Sequence, residues 1–366
     1  MAARKTKRSK VATSPVAAKE QSKPDSEKNQ ESPKPLRVLA LDGGPSALLV
    51  VLVLEELEKR VPGFLKNVDV VAGTSSGAIT GLMLSTKENP AHMLPTAENF
   101  WLNEQEYYKN SLFGYLRALT GVGSINDSSY VQSFLEQRGV LAELKLSELV
   151  KKVIVTSFEV NPVRQNPSGS GPRNWHPKIF ENLSADSPDL DVLAVDAALS
   201  SSASPIVTPI HQGRVDGGLI SNNPSMLALS RILHDGVYES HQIVMLSVAG
   251  GRAHESLKVN NDSWGYVPWL FNPNNPLLLL NAFLAGSTEA SVYDVSEVLD
   301  DSNFYRLDPY YTEPGLLPFV QANPRKQQEQ AASDGTKEIV RDAAMWLQRI
   351  GWIPEPGPST GPGAAV

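Results

Sequence analysis

Ser75 stands in Gly73-Thr74-Ser75-Ser76-Gly77, a G-x-S-x-G run. It follows the apolar stretch Val68 to Ala72 and precedes a segment of helical character. Strand, tight turn and helix are the setting in which this pattern lifts a serine Oγ clear of the fold and aims it at a substrate. Gly73 and Gly77 suit such a turn because side chains there would meet neighbouring backbone. At a helix N-terminus, free N–H groups and the helix dipole favour the negative charge of an alkoxide. The pentapeptide alone also fits an ordinary Gly/Ser turn.

A serine nucleophile needs a base and a site for the oxyanion. Asp42-Gly43-Gly44 follows one apolar run and precedes another, so the N–H groups of Gly43 and Gly44 are candidate oxyanion donors, with Ser46 and Ser76 as further ones. Asp216-Gly217-Gly218 also ends a strand-like run, where Asp216 is a candidate base. Each glycine pair taken singly is also an ordinary turn. A Ser-His-Asp arrangement is open as well, with Ser75, Asp216 and then His234, His241 or His254 in chain order. Its topology is unfavourable, because the nucleophile of α/β-hydrolases follows several strands and Ser75 follows only the second. His176 and His211 read as surface or polar-network residues.

The elements that must position these groups are legible in outline. Leu36 to Leu41 reads as a strand and Ser46 to Arg60 as a helix, with Pro45 near its start, where a missing N–H costs nothing. Val68 to Ala72 and Lys152 to Phe158 read as strands, and the segment Ser75 to Leu84 as a helix. Alternating strands and helices predict a mainly parallel sheet covered by helices. Glu98 to Leu119 has helical period, with Phe100, Trp101, Tyr107, Tyr108, Phe113 and Tyr115. Arg164 to Pro172 reads as a loop, Val192 to Leu199 and Ser225 to Leu233 as helices, and Gln242 to Val248 as a strand. Trp264, Tyr266 and Trp269 lie among Asn, Pro and Gly and read as loop. Thr336 to Gln348 reads as a last helix. The aromatic segments suit either core packing or an acyl-chain pocket, and Trp264, Tyr266 and Trp269 suit a lipid-facing rim.

The 366 residues are 41% hydrophobic and 20% charged, the balance of a globular protein. No apolar run approaches the roughly 20 residues of a membrane helix, and no signal peptide is read. The absence of cysteine excludes disulfides and thiolate chemistry. Residues 1–35 hold nine Lys or Arg against four Asp or Glu, leaving about −12 on the rest of a chain whose net charge is −7. They are expected to form a disordered basic tail, 36–350 one domain, and 351–366 a flexible Pro/Gly-rich tail. The tail is a candidate for recruitment to anionic membrane; no nucleic acid partner is expected.

Taken together, the motifs resemble the patatin-like phospholipases. DGGPSALL from Asp42, GTSSG from Gly73 and the DGG motif of Asp216, Gly217 and Gly218 match the family's three motifs in order. Ala197 to Pro205, the G-x-x-x-N-N-P run from Gly218 to Pro224, and Asn303-Phe304-Tyr305-Arg306-Leu307 are similar to its flanking elements. The resemblance implies a three-layer α/β/α fold with a central, mainly parallel sheet and a nucleophile elbow. It implies a lipid acyl hydrolase of phospholipase A or lysophospholipase type, with a catalytic dyad of Ser75 as nucleophile and Asp216 as proton acceptor, and no histidine. It implies no metal, no organic cofactor and an acyl-lipid substrate; with no signal peptide or membrane helix read, a cytoplasmic location with peripheral membrane contact is expected. One departure stands out. Where the family's loop reads D-G-G-G-x-[RK]-G, this chain has Pro45, Ala47 and Leu48 at the third glycine, the basic residue and the last glycine. Proline has no N–H to donate, so a weakened or inactive lipid- or protein-binding module is the alternative.

Overall fold

The computed structural model describes residues 34–108, 123–161, 174–253, 264–270, 272, 278–311 and 323–354. The chain divides into two contact units, Met1–Lys34 and Pro35–Val366, and the second holds every described strand and helix. The expected tails and the Arg164 to Pro172 loop lie wholly or largely outside the described residues.

Strands β1 (Leu36–Leu41), β2 (Val70–Gly73), β3 (Lys152–Glu159), β4 (His176–Glu181), β6 (Ile243–Val248) and β8 (Phe304–Leu307) form a sheet in the order β4-β3-β2-β1-β6-β8. A short strand, β5 (Arg214–Asp216), joins the sheet by pairing with β3 and leads into the short helix α6 (Gly218–Ser221), while β7 (Arg252–Ala253) pairs with β9 (Tyr310–Tyr311) in a separate two-stranded sheet. β1, β2, β3, β6 and β8 are parallel, whereas β4 and β5 run antiparallel to β3.

The two-residue period of the strands sorts their side chains into two cores. Leu39, Leu41, Val71, Val153, Leu246 and Val248 face helices α1 (Ala47–Arg60), α2 (Ser76–Leu84), α3 (Leu94–Tyr108), α4 (Ser129–Leu135), α5 (Ala194–Ser201) and α11 (Asp334–Arg349). Val38, Ala40, Val70, Ala72, Ile154 and Met245 face α7 (Ser225–His234) and the C-terminal part of α9 (Leu278–Val298). Helices on both faces of one sheet make the three-layer α/β/α arrangement. α2 is buried at every residue, as expected of a helix with no polar face.

Two features of the register position the loops of the site. Gly73, Leu41, Val248 and Leu307 are aligned across β2, β1, β6 and β8, so four loops leave one edge of the sheet side by side. On β3, Gly73 pairs with Val155 and Asp216 with Ser157, from the same side of the strand, since β4 occupies the other. β2 and β5 therefore meet end to end, with only Thr156 between their terminal residues.

Several elements differ from the sequence reading. Helix α3 begins at Leu94, earlier than expected, and 109–119 lie outside the described residues. Phe100 and Trp101 are core residues: Phe100 packs against Trp101, Tyr130 and Phe134. Tyr266–Leu270 forms a short helix, α8, rather than loop. β4, α9 and α10 (Pro324–Ala331) had no counterpart in the reading. Proline at position two of β4 masked that strand, which tolerates it at a sheet edge.

Candidate active site

Ser75 occupies the turn between β2 and α2 with φ 54° and ψ −121°. A non-glycine residue at positive φ is strained by roughly 1–3 kcal/mol and persists only where its surroundings impose it. Here the imposition is close packing. A Cβ on Gly77 would stand 2.5 Å from the Asp42 carbonyl oxygen and closer still to that of Leu41. The elbow therefore seats directly on the end of β1. On its other side, the Thr74 hydroxyl donates to the Ser221 carbonyl at 2.7 Å and shares a 2.7 Å hydrogen bond with Thr156.

The end-to-end meeting of β2 and β5 places Asp216 against this turn. Ser75 Oγ donates to Asp216 Oδ2 at 2.7 Å, and the Gly218 N–H donates to Asp216 Oδ1 at 2.7 Å. A Cβ on Gly217 would collide with the Thr156 hydroxyl and carbonyl, so glycine there lets the turn pass over β3. Asp216 is buried at 6% exposure, and burial pushes its carboxyl up to about 6 against the opposing hydrogen bonds from Gly218 and Ser75. A carboxylate with that affinity for protons, hydrogen-bonded to a strained serine hydroxyl, has the geometry and the basicity to take its proton.

The end of α5 ties the two residues together. Ser201 Oγ accepts the Ser75 N–H at 2.8 Å, the Ser201 carbonyl accepts the Gly217 N–H at 3.2 Å, and the Ala203 carbonyl accepts the Asp216 N–H at 2.9 Å. Ser201 is fully buried. Sequence reasoning placed this serine-rich segment near the aspartate but assigned it no role, because a backbone-bracing hydroxyl has no motif of its own.

The expected oxyanion donors separate into used and free. The Gly43 N–H donates to the Asn222 carbonyl at 3.0 Å. Among the described residues, the N–H groups of Gly44 and Ser76 have no hydrogen-bond acceptor. They adjoin one another, since Ser76 Oγ donates to the Gly44 carbonyl at 2.7 Å. The Ser46 N–H is likewise without an acceptor among the described residues, whereas Ser46 Oγ takes a 3.2 Å hydrogen bond from the Tyr311 hydroxyl. The altered part of the loop is braced by the buried Gln327 of α10, whose Oε1 accepts the Leu49 N–H at 2.9 Å while Nε2 donates to the Pro45 carbonyl at 3.4 Å.

No described histidine joins the site. His234 ends α7 and His241 precedes β6, both at the edge of the sheet opposite Ser75. His211 pairs with Asp196 at 2.8 Å and His176 with the Asn174 carbonyl at 2.9 Å. His254 lies outside the described residues. Among the described residues, no group of three or more His, Asp and Glu is placed to hold a metal ion.

Comparison with known proteins points to one family. Residues 39–229 match the model of the family described as patatin-like phospholipase. CotR of Bacillus subtilis is 25% identical over 312 residues, 78% of this chain and 92% of its own. Patatin-like protein 2 of Arabidopsis thaliana is 23% identical over 316 residues, 74% of each chain. Among solved structures, VipD of Legionella pneumophila aligns with 85% of this chain and 67% of its own at 11% identity, with a TM-score of 0.38, a superposition too loose to argue from.

The raised Asp216 carboxyl has a consequence for stability. Between about pH 4 and 6 the unfolded chain has lost the proton that the folded chain keeps, so stability falls as pH rises through that window. At pH 8 the folded chain carries a buried charge that Asp216→Asn removes, while the amide oxygen keeps the Gly218 N–H and the amide nitrogen donates to Ser75 Oγ, reversing that bond. Asp216→Asn is therefore expected to be more stable than the parent at pH 8 by on the order of 1–3 kcal/mol. The difference should close near pH 4. Paired thermal melts across this range check it, and a pH-independent difference would contradict it.

Proposed function

The chain belongs to the patatin-like phospholipase family, a family of lipid acyl hydrolases, and from that premise we propose that it hydrolyses fatty-acyl esters through Ser75 and Asp216. The observation that carries the reading is the 2.7 Å hydrogen bond from Ser75 Oγ to the buried Asp216 carboxylate. Ser75 Oγ attacks the acyl carbonyl carbon as Asp216 takes its proton. The tetrahedral oxyanion receives hydrogen bonds from the Gly44 and Ser76 N–H groups. Collapse expels the alcohol, which receives the proton from Asp216, and leaves an acyl-serine. Asp216 then deprotonates the attacking water, and the second collapse releases the fatty acid as Ser75 Oγ takes that proton back from Asp216.

Loss of one oxyanion donor costs typically 10²–10³ in rate, so Pro45 favours a slow enzyme if no other group replaces the lost N–H. Ser76 supplies one from the helix end, and this supports activity over an inert binding module. A fluorophosphonate probe should label the protein, with the adduct mapped to Ser75. Ser75→Ala and Asp216→Ala should each lower turnover of a short-chain ester by at least about 10³-fold. Labelling elsewhere, or turnover indifferent to both changes, would sink the proposal. The acid limb of kcat/KM should fall near pH 6, because Asp216 must be ionised to accept the proton. A profile flat from pH 5 to 8 would point to a different base.

The lipid surface, in this reading, meets the helices beside the site. From Ser263 to Thr288 the chain contains no Lys, Arg, Asp or Glu, in a protein that is 20% charged. Leu284 of α9 packs against Gly218, and Ser287 Oγ accepts the Asn222 N–H at 3.2 Å, so this half of the helix adjoins the Asp216 turn. Phe283 on α9 and Tyr266, Val267 and Leu270 on α8 are exposed by 62%, 74%, 53% and 47%. Exposed apolar and aromatic side chains without charge suit the bilayer interface. Among the described residues no helix is long and apolar enough to cross a membrane, so such contact would be peripheral. Val267→Glu with Phe283→Glu should weaken binding to phosphatidylcholine vesicles at least tenfold while turnover of a soluble short-chain ester is kept. Unchanged vesicle binding would refute this placement.

A further inference from the structure

Arg306 lies next to the last residue of the edge strand β8, level with Ser247 of β6. Its guanidinium reaches past β6 to the end of β1. Nη1 donates to Asp42 Oδ1 at 2.8 Å and Nη2 to Asp42 Oδ2 at 2.6 Å, a two-pronged pair whose side chains are 15% and 4% exposed. Nη1 also donates to Ser247 Oγ at 2.8 Å and Nη2 to Asp308 Oδ2 at 3.3 Å. Burial disfavours the charge on Arg306, but Asp42 and Asp308 more than offset this and hold it protonated.

These contacts close a ring. Asp42 leads through the chain to Gly43, whose N–H is bound by the Asn222 carbonyl. Asn222 leads to Asn223, whose Nδ2 donates to Ser247 Oγ at 3.0 Å, and Ser247 returns to Arg306. Only arginine at this place spans both Asp42 oxygens and Ser247 with one planar group; a lysine ammonium is a point charge on a flexible stem. Next to Gly43 in this ring is Gly44, with its free N–H at positive φ, 140°.

We infer that Arg306 is a positioning residue: through Asp42 it fixes the Gly43–Gly44 turn so that the Gly44 N–H faces the acyl oxygen on Ser75. The inference rests on the acyl-hydrolase reading of the site. It explains why the loop keeps its place although Pro45, Ala47 and Leu48 replace the residues expected there. With one donor already lost to Pro45, the position of the remaining ones matters more, and a misplacement of about 1 Å costs about 10²-fold in rate.

The test compares Arg306→Lys, which keeps the charge and removes the fork, with Asp42→Asn and the double variant. Arg306→Lys should lower kcat for a short-chain ester about 30- to 100-fold, with KM changed less than twofold. Asp42→Asn should do the same, and the double variant should be no worse than the poorer single one, since both break one ring. Hydrogen exchange at the Gly43 amide should quicken in all three while the amides of β1 and β6 stay protected. A wild-type kcat in Arg306→Lys, or a loss confined to KM, overturns the positioning role. So does unchanged exchange at Gly43. Absence of Ser75-dependent turnover in the parent would overturn the hydrolase reading instead; the exchange at Gly43 still decides whether Arg306 holds the turn. If Arg306→Lys exposes the whole sheet to exchange, Asp42→Asn, which keeps the volume and one acceptor, decides in its place by the same two readouts.

Discussion

Strand β3 is the ruler on which the site is laid out. β2 arrives along one side of it from below and ends at Gly73 opposite Val155, while β5 arrives along the same side from above and ends at Asp216 opposite Ser157. Hydrogen-bond register along a strand is quantised in residues, so this meeting of strand ends sets the spacing of Ser75 and Asp216 with backbone rather than side-chain precision. Thr156, the residue between, is fully buried and touches both turns, through its hydroxyl to Thr74 and through its close approach to Gly217. The side chains of Ser75 and Asp216 need only complete a bond whose geometry the sheet has prepared.

The same edge of the sheet concentrates costs. Ser75 holds a strained backbone, Asp216 a buried charge, and Asp42 and Arg306 a buried ion pair. Such terms are tolerated where the rest of the fold is secure. Here the security comes from two apolar layers, one on each face of β1, β2 and β6, and from a polar lattice in the loops between them. That lattice runs through backbone groups to a large extent: the carbonyls of Ser201, Ala203, Ser221 and Asn222 each fix one turn of the site. Backbone contacts of this sort tolerate change in side chains, which fits a loop that reads Pro45-Ser46-Ala47-Leu48 and still sits on the elbow.

The aromatic residues illustrate how differently one signal resolves. Phe100 and Trp101 are packed among Tyr130 and Phe134 in the core beneath α1, α2 and α3. Tyr266, Val267 and Phe283 are exposed. Composition cannot separate these cases. Helical period was present in the first segment and obscured by Asn, Pro and Gly in the second, so α8 went unread. α9 was missed for a related reason: its first half is apolar on all sides and carries no amphipathic stripe to read.

Much of the chemistry was written locally. The strand-turn-helix around Ser75, the glycines that make its turn possible and the carboxylate of Asp216 depend on residues close in sequence, and short-range sterics dictate what they can form. The mainly parallel sheet was legible on the same grounds, and so were the boundaries of α1, α2, β1 and β6 within two residues. What sequence could not assign was everything created by chain segments that are far apart. The bracing of Ser75 by Ser201 spans 126 residues, the commitment of the Gly43 N–H to Asn222 spans 179, and the reach of Arg306 to Asp42 spans 264. The second of these is a backbone pair that no side chain marks. Each is a hydrogen bond whose partner is chosen by strand order and register, and those exist only once the sheet has formed.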